Sequence, residues 1–272
     1  MNKTEFEEYL VNVGLKGNTI KNHLRNVDKF EKLNFYDLNL TEENIIKILK
    51  DDEISNSQRL TLASTMSKYL QFSLMSNKKL VEYIKTINNE LNKQYAKRNK
   101  EKEFNYSKKD LLREINNFYK NKNYRAYIVS YLVYYYNIRN MDINVNICRK
   151  KKYAKVEKDN YLILRKNSVL YYRNNYKTSR SYGSKKHEVK ARKFLESVRY
   201  MLRDPEINCI RLFDGFTNST NILKNYLPFG LRTGEIIKII LAEDNSLHKA
   251  SKIGLRRGTS LLTLEKSYNL KV

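Results

Sequence analysis

The spacing of apolar side chains changes along this chain, and that change restricts the fold more than any other feature. Residues 1–98 repeat apolar positions every three or four residues, the period of a helix with one buried stripe. Phe6, Tyr9, Leu10 and Val13 follow Thr4, a candidate N-cap, and stop at Gly14. After Asn18 the next stripe is Ile20, Leu24, Val27 and Leu33. Thr41 is placed to cap EENIIKIL, with Asn44 at the capping-box position. SNSQRLTLASTMSKYLQFSL and NKKLVEYIKTINNELNKQYAK read as a fourth and a fifth helix. Short connections between such stretches predict an all-helical domain over 1–98. KRNKEKEFNY lacks an apolar face, and residues 99–105 are expected to be a linker.

Residues 106–272 are expected to form a second domain. Two helical stretches open it, SKKDLLREINNFYK and NYRAYIVSYLVYYYNI, and the latter is apolar nearly all round, the mark of a core helix. From about residue 160 the pattern shortens. YLILRKNSVLYYRNNYKTSRSYGSKKHEVK offers short runs of β-branched, leucine and tyrosine residues between polar turn clusters, which predicts a small antiparallel sheet or hairpin. Helical patterns resume at ARKFLESVRYMLRD and continue through FTNSTNILKNYL, RTGEIIKIILAED, SLHKASKIGL and TSLLTLEKSYNL. The expected class is mainly α, of the α+β kind: a helical domain, then a mixed, mostly helical one with a small antiparallel sheet.

Charge narrows the function. Lys+Arg number 53 against 29 Asp+Glu, a formal net charge of +24, which excludes an ordinary acidic metabolic enzyme as the default. Residues 1–99 carry a net +3 and residues 100–272 a net +21; within the latter, residues 149–193 hold 16 basic and 3 acidic side chains. Such a density repels itself unless an anion neutralises it, and a nucleic-acid backbone does so by releasing counterions. A membrane is not the expected partner: RKKKYAKVEKDNYLILRKNS lacks the apolar face of an interfacial helix. No run of 18 apolar residues exists and MNKTEFEEYL places acids where a secretion signal needs apolar residues, so the expectation is a soluble, intracellular chain. Cys148 and Cys209 are too few for a disulfide framework and are expected to be buried free thiols.

Several chemistries lack their residues. There is no phosphate-cradling G-x-x-x-x-G-K-[ST] loop, and His23, His187 and His248 lie far apart without other ligands at zinc spacing. His248 reads as a surface histidine on a basic helix. The acids near the basic region (Asp142, Glu157, Asp159 and Glu188) show no spacing suited to a two-metal nuclease. No cofactor or metal is expected. Metal-free chemistry on a phosphodiester needs a covalent nucleophile, fixed cations and a proton donor.

Four segments, in order, match that need. YNIRNMDI resembles the first arginine motif of tyrosine recombinases, Thr-Gly-Leu-Arg-x-x-Glu-Leu, with Arg139 at the arginine and Asp142 at the acid. NNYKTSRSYG puts Lys177 after a strand-like run, where that family keeps a lysine on a hairpin turn. PFGLRTGE puts Arg232 in the Leu-Arg core of the second motif. Gly258-Thr259-Ser260 and Tyr268 have the layout of Gly-His-Ser leading to the nucleophilic tyrosine, nine residues beyond the histidine position. The chain thus resembles the tyrosine recombinase and integrase family over both halves.

The resemblance implies a helical DNA-clamping domain before a catalytic one, double-stranded DNA as partner, and a homo-oligomer, a tetramer, on that DNA. Tyr268 would form a 3′-phosphotyrosyl bond, Arg139 and Arg232 would hold the non-bridging oxygens, and Lys177 would protonate the leaving 5′ oxygen. Phe229 and Thr259 stand where the family has histidines. Two alternatives therefore stay open: a DNA-binding or architectural protein with weakened or lost catalysis, and a type IB topoisomerase-like enzyme. Tyr176 and Tyr182 are expected to pack or touch DNA. Lys150, Lys151, Lys152, Arg180, Lys185, Lys186, Arg256 and Arg257 are the expected phosphate contacts. Only four residues follow Tyr268 here, so other surfaces or the DNA are expected to hold copies together. Richness in Lys, Asn, Ile and Tyr fits an AT-rich genome, as in a virus or mobile element.

Overall fold

A computed structural model of the chain describes residues 2–33, 40–101, 105–154, 159–176, 178–213, 223–243, 246–259, 261 and 264, with the side chains at 96, 98–101, 141, 180 and 182 set aside. It divides into two compact units, Met1–Arg98 and Asn99–Val272.

In the first unit Asn2, not Thr4, starts the first helix: its side chain accepts the Glu5 amide at 3.3 Å, and α1 runs Lys3–Asn12. Any short oxygen-bearing side chain can serve there, so neighbouring candidates compete and the boundary slips by a turn's fraction. Helix α2 (Gly17–Lys32) begins at Lys16 without a side-chain cap, so Asn18 lies inside the helix. Thr41 caps α3 (Glu42–Leu49) by accepting the Asn44 amide, and Ser55 caps α4 (Asn56–Phe72). Helix α5 spans Lys78–Glu101 and so runs into the expected linker. Lys, Arg and Glu are good helix formers, which carries the helix on without an apolar face. The stripes meet in one core that includes Phe6, Leu10, Val27, Phe30, Ile45, Leu49, Leu62 and Met66. Buried Glu42 joins α3 to the start of α5, accepting the Leu80 amide at 2.8 Å and the Ser76 hydroxyl at 2.7 Å.

The second unit is built around α7 (Tyr124–Tyr136), whose residues 126–130 and 132–134 are all buried. Against it pack α6 (Lys108–Lys120), α9 (Arg192–Met201) and α10 (Thr233–Ala242). Phe194, Leu195 and Val198 form the inward side of α9, each contributing about 1.5–3 kcal/mol by leaving water. Helix α11 (Leu247–Arg257) also meets α7.

The sheet is larger than expected and mixed, which corrects the antiparallel reading. Its strands are β1 (Val145–Cys148), β2 (Asn160–Leu164), β3 (Val169–Arg173), β4 (Lys185–Val189) and β5 (Cys209–Arg211), in the order β4-β3-β2-β1-β5. Strands β2, β3 and β4 form the expected antiparallel run, whereas β1 pairs parallel with β2 and antiparallel with β5. Four- and three-residue strands are too short to display an alternation, so β1 and β5 left no periodic signal. The period of two does sort the faces. Leu162, Val169, Tyr171 and Val189 join the helices, while Tyr161, Ile163 and Leu170 form a smaller cluster on the opposite face with Tyr153 and Tyr172. A four-residue helix, α8 (Ser179–Tyr182), lies between β3 and β4.

The cysteine expectation was wrong. Cys148 of β1 and Cys209 of β5 are opposite each other in the register, with Cα atoms 4.1 Å apart, and are bonded as a disulfide. A separation of 61 residues concealed the pairing, because only the sheet brings the two strands together.

Candidate functional site: an arginine cluster at the end of helix α11

The end of α7 sets the first element of the site. Asn137 takes the left-handed conformation (φ 53°) and turns the chain out of the helix, leaving Arg139 at the entry of a 3-10 turn, Asn140–Ile143. The Arg139 amide donates to Asp142 Oδ2 at 2.8 Å. Asp142 is fully buried, and the same carboxylate oxygen receives Nη2 of Arg173, itself 1% exposed. Arg173 ends β3, and its Nη1 donates to the carbonyl of Arg256 near the end of α11 while its guanidinium lies 4.4 Å from the centre of the Tyr176 ring. One buried arginine therefore ties the Arg139 turn, the sheet and α11 together.

The C-terminus of α11 carries the negative end of a helix dipole, and cations gather on it. Lys185 Nζ donates to the carbonyls of Leu255 and Arg256. Arg257, 6% exposed, donates to the carbonyls of Asn137 and Ile138 at 3.3 and 3.5 Å. Gly258 then ends the helix at φ 64°, ψ 51°, a left-handed position that glycine occupies without the strain a side chain brings. Three groups converge just beyond. Thr178 Oγ1 donates to Gly258 O at 2.9 Å, Arg139 Nη2 reaches the same carbonyl at 3.5 Å, and Arg139 Nη2 also donates to Thr259 Oγ1. The Thr259 amide returns to Gly254 O at 2.9 Å. A Cβ at Gly254 would stand 2.8 Å from Thr259 O, so a larger residue there must displace that backbone.

Arg232 belongs to the same neighbourhood through its successor. It precedes α10, where its amide donates to Glu235 Oε2 at 2.8 Å, and Thr233 Oγ1 donates to Asn140 Oδ1 at 2.8 Å. A hydrogen bond thus links the residue after Arg232 to the residue after Arg139. Arg232 is exposed and Arg139 half-buried.

The electrostatics follow from this crowding of cations around one buried carboxylate. Burial pushes the Asp142 carboxyl above its ordinary range, against the opposing pull of Arg173 and the Arg139 amide. Burial, then the charges of Arg173 and Arg139, hold the Lys185 ammonium below its usual value, with Asp142 acting the other way. His187 of β4 packs on Tyr136 and Tyr171, and burial with Arg173, Arg256 and Lys185 lowers its pKa to about 4, so its imidazole is neutral at pH 7.

The remaining expected site residues are placed as follows. Lys150, Lys151 and Lys152 are exposed around the 3-10 turn Lys151–Tyr153, with the Lys152 ammonium 5.1 Å from the Tyr153 ring centre. Lys186 is exposed on β4, 5.7 Å from the Tyr172 ring centre. These form a basic, tyrosine-bearing surface on the outer face of the sheet. Arg256 donates to Tyr135 O at 2.6 Å. Arg257 is turned inward, holding the end of α7, which corrects its expected role as a surface phosphate contact. Phe229 has its ring stacked on that of Tyr106, centroids 4.0 Å apart and planes within 2°, and no described contact joins it to the Arg139 group. Tyr176 is buried and donates to Gly183 O at 2.7 Å. Lys177, Tyr268 and Ser260 lie outside the described residues, as do the side chains of Arg180 and Tyr182.

Sequence reasoning missed Arg173 and Asn160. Arg173 shares the inward register of Val169 and Tyr171, and a charge in an inward strand position demands a buried partner; that was a usable signal. Asn160, also buried, accepts the amides of Asn174 and Asn175 at 2.9 and 2.8 Å and donates to Asn175 O at 2.9 Å, which fixes the turn after β3. Among the described residues no group of three His, Cys, Asp or Glu is arranged to hold a metal ion, and no helix is long and apolar enough to cross a membrane.

No family model matches the chain, and no curated protein does. Among solved structures, it is similar to one described as the crystal structure of XerA recombinase, at 12% identity over 98% of this chain and 92% of that one, with a TM-score of 0.38. Likeness at that level carries no weight for function.

Proposed function

We propose that this chain binds double-stranded DNA and breaks and rejoins it through a 3′-phosphotyrosyl intermediate, as a site-specific recombinase working as an oligomer on its DNA. The observation that supports this most is the Arg139 guanidinium at Thr259 and Gly258, with the segment after Arg232 tied to the Arg139 turn by the Thr233–Asn140 bond. On this proposal Arg139, at the end of a helix, and Arg232 grip the phosphate together, because charge-assisted forked hydrogen bonds strengthen as a pentavalent phosphate gathers charge. In this reading the Tyr268 oxygen attacks phosphorus, the bond to the 5′ oxygen breaks, and Lys177 gives that oxygen its proton. The broken linkage's energy is kept in the new ester, so no ATP is used. The first unit clamps the duplex, and the exposed lysines of residues 150–152 and 186 meet its phosphates.

A nicked suicide substrate tests this. Wild type should leave a protein–DNA adduct that resists denaturation, Tyr268→Phe should leave none, and Arg139→Ala should abolish the adduct while duplex binding survives. An adduct that persists in Tyr268→Phe would move the nucleophile to another tyrosine. A second reading, DNA binding without strand cleavage, is favoured by Thr259, whose hydroxyl is engaged by Arg139 and supplies no imidazole. Absence of adduct with intact duplex binding on every cognate site would establish that reading instead.

A further inference from the structure

We infer that the second unit carries a pocket for a small phosphorylated ligand of mononucleotide size, distinct from the arginine cluster. Between the end of α7, the start of α6 and α11 lies a half-open pocket of about 410 Å³, within the size range of small-molecule sites. Lys108, Lys249, Lys252 and Arg256 reach it from two helices, while Ile240, Ile253 and Tyr135 give it apolar and aromatic walls. Among the described residues the ammonium groups of Lys108 and Lys252 take part in no ion pair.

Helix geometry adds to the charge. Helix α6 begins at Lys108, and α11 begins one residue before His248, which also lines the cavity. Two helices thus place the positive ends of their dipoles beside one cavity, with Ser107 capping the Asp110 amide and Ser246 the Lys249 amide. An anionic oxygen is already there: Glu243 Oε1 accepts the Lys108 amide at 2.6 Å. With Asp110, which caps the same end of α6 through Ser107, it leaves the cationic side chains in excess. Asn137 lines the cavity at the end of α7, its carbonyl already held by Arg257. Arg256 marks the boundary between the two sites, since it lines the cavity, with its Nη1 on Tyr135 O, while its carbonyl receives Arg173. A half-open concave space with mixed polar and apolar walls fits a bounded molecule carrying one phosphate.

Calorimetric titration of the full chain with AMP, adenosine and inorganic phosphate tests the inference. AMP should bind once per chain, with adenosine at least about tenfold weaker. Lys108→Ala and Lys252→Ala should each raise the Kd for AMP about tenfold, the effect of one lost charge-assisted hydrogen bond. Lys150→Ala, on the distant turn after β1, should leave AMP binding unchanged. Duplex affinity should be the same in Lys252→Ala and wild type. Failure of AMP to saturate, or equal AMP affinity in wild type and both lysine variants, would overturn the proposal. So would a Lys252→Ala variant that loses duplex affinity but keeps AMP affinity, because the cavity wall would then belong to the DNA face.

Discussion

Replacing Arg173 by methionine should damage the second unit more than any change on its surface. Asp142 and Arg173 are 0% and 1% exposed, and each is the other's charge partner. Removing the cation strands a buried carboxylate, which costs about 3–5 kcal/mol; the Arg256 carbonyl keeps Lys185 as a donor. Against a total stability of about 5–15 kcal/mol that is a large fraction. With a urea dependence of about 2 kcal/mol per molar, the unfolding midpoint should fall by about 2 M. Hydrogen exchange of the α7 and β3 amides as a function of urea reads this unit separately from the first. The loss should be smallest in acid, because burial already raises the Asp142 pKa: a raised carboxyl stabilises the fold below its unfolded pKa, and that contribution disappears as pH rises through the folded value. Arg173→Met combined with Asp142→Leu should regain most of the deficit, since a buried pair replaced by apolar residues is often neutral. A single-variant loss below about 1 kcal/mol, or a double variant no better than the single, would refute the claim that this pair holds the site.

His187 gives a second pH test. Its pKa is depressed to about 4, so its contribution is complete above the ordinary value of 6.5 and is lost as pH falls from there through 4; solvent screening at this half-exposed ring keeps the effect to about 1–2 kcal/mol, His187→Gln should flatten that dependence, and an NMR titration of the imidazole near 6.5 would contradict it. Gly254→Ala should destabilise by about 1–3 kcal/mol through overpacking against Thr259 O and Leu264, read as a lowered melting temperature together with weaker covalent complex formation. Tyr134→Phe should be neutral or stabilising by up to about 1 kcal/mol, because among the described residues its buried hydroxyl has no partner; a clear loss in thermal unfolding would argue otherwise. Replacing Lys150, Lys151 and Lys152 by alanine should reduce the slope of log K for DNA against log salt by up to about 2.7, and an unchanged slope would remove these exposed lysines from the phosphate contacts.

Local information settled the elements that are long and periodic. The stripes of α2 to α5, the all-round apolar surface of α7 and the short apolar and tyrosine runs of β2 and β3 each reflect burial imposed on consecutive residues, so the class was readable from the chain. Charge density, a sum over residues, needed no structure to locate the basic surface. What depended on partners far along the chain was not readable. Strands β1 and β5 exist because of the neighbours they pair with, the Cys148–Cys209 bond because β5 returns beside β1, and the first helix begins at Asn2 because several side chains can cap it. In the candidate site, Arg139 and Thr259 were named from sequence, but their direct hydrogen bond and the Asp142–Arg173 pair beneath them join residues 120 and 31 positions apart. The inward turn of Arg257 shows the same limit: an arginine reads as surface charge in sequence, and only the carbonyls left open at the end of α7 decide that it is buried. Short-range periodicity records which residues avoid water, whereas ion pairs, register and helix-end contacts are decided by which segments meet, and that information exists only once the chain is packed.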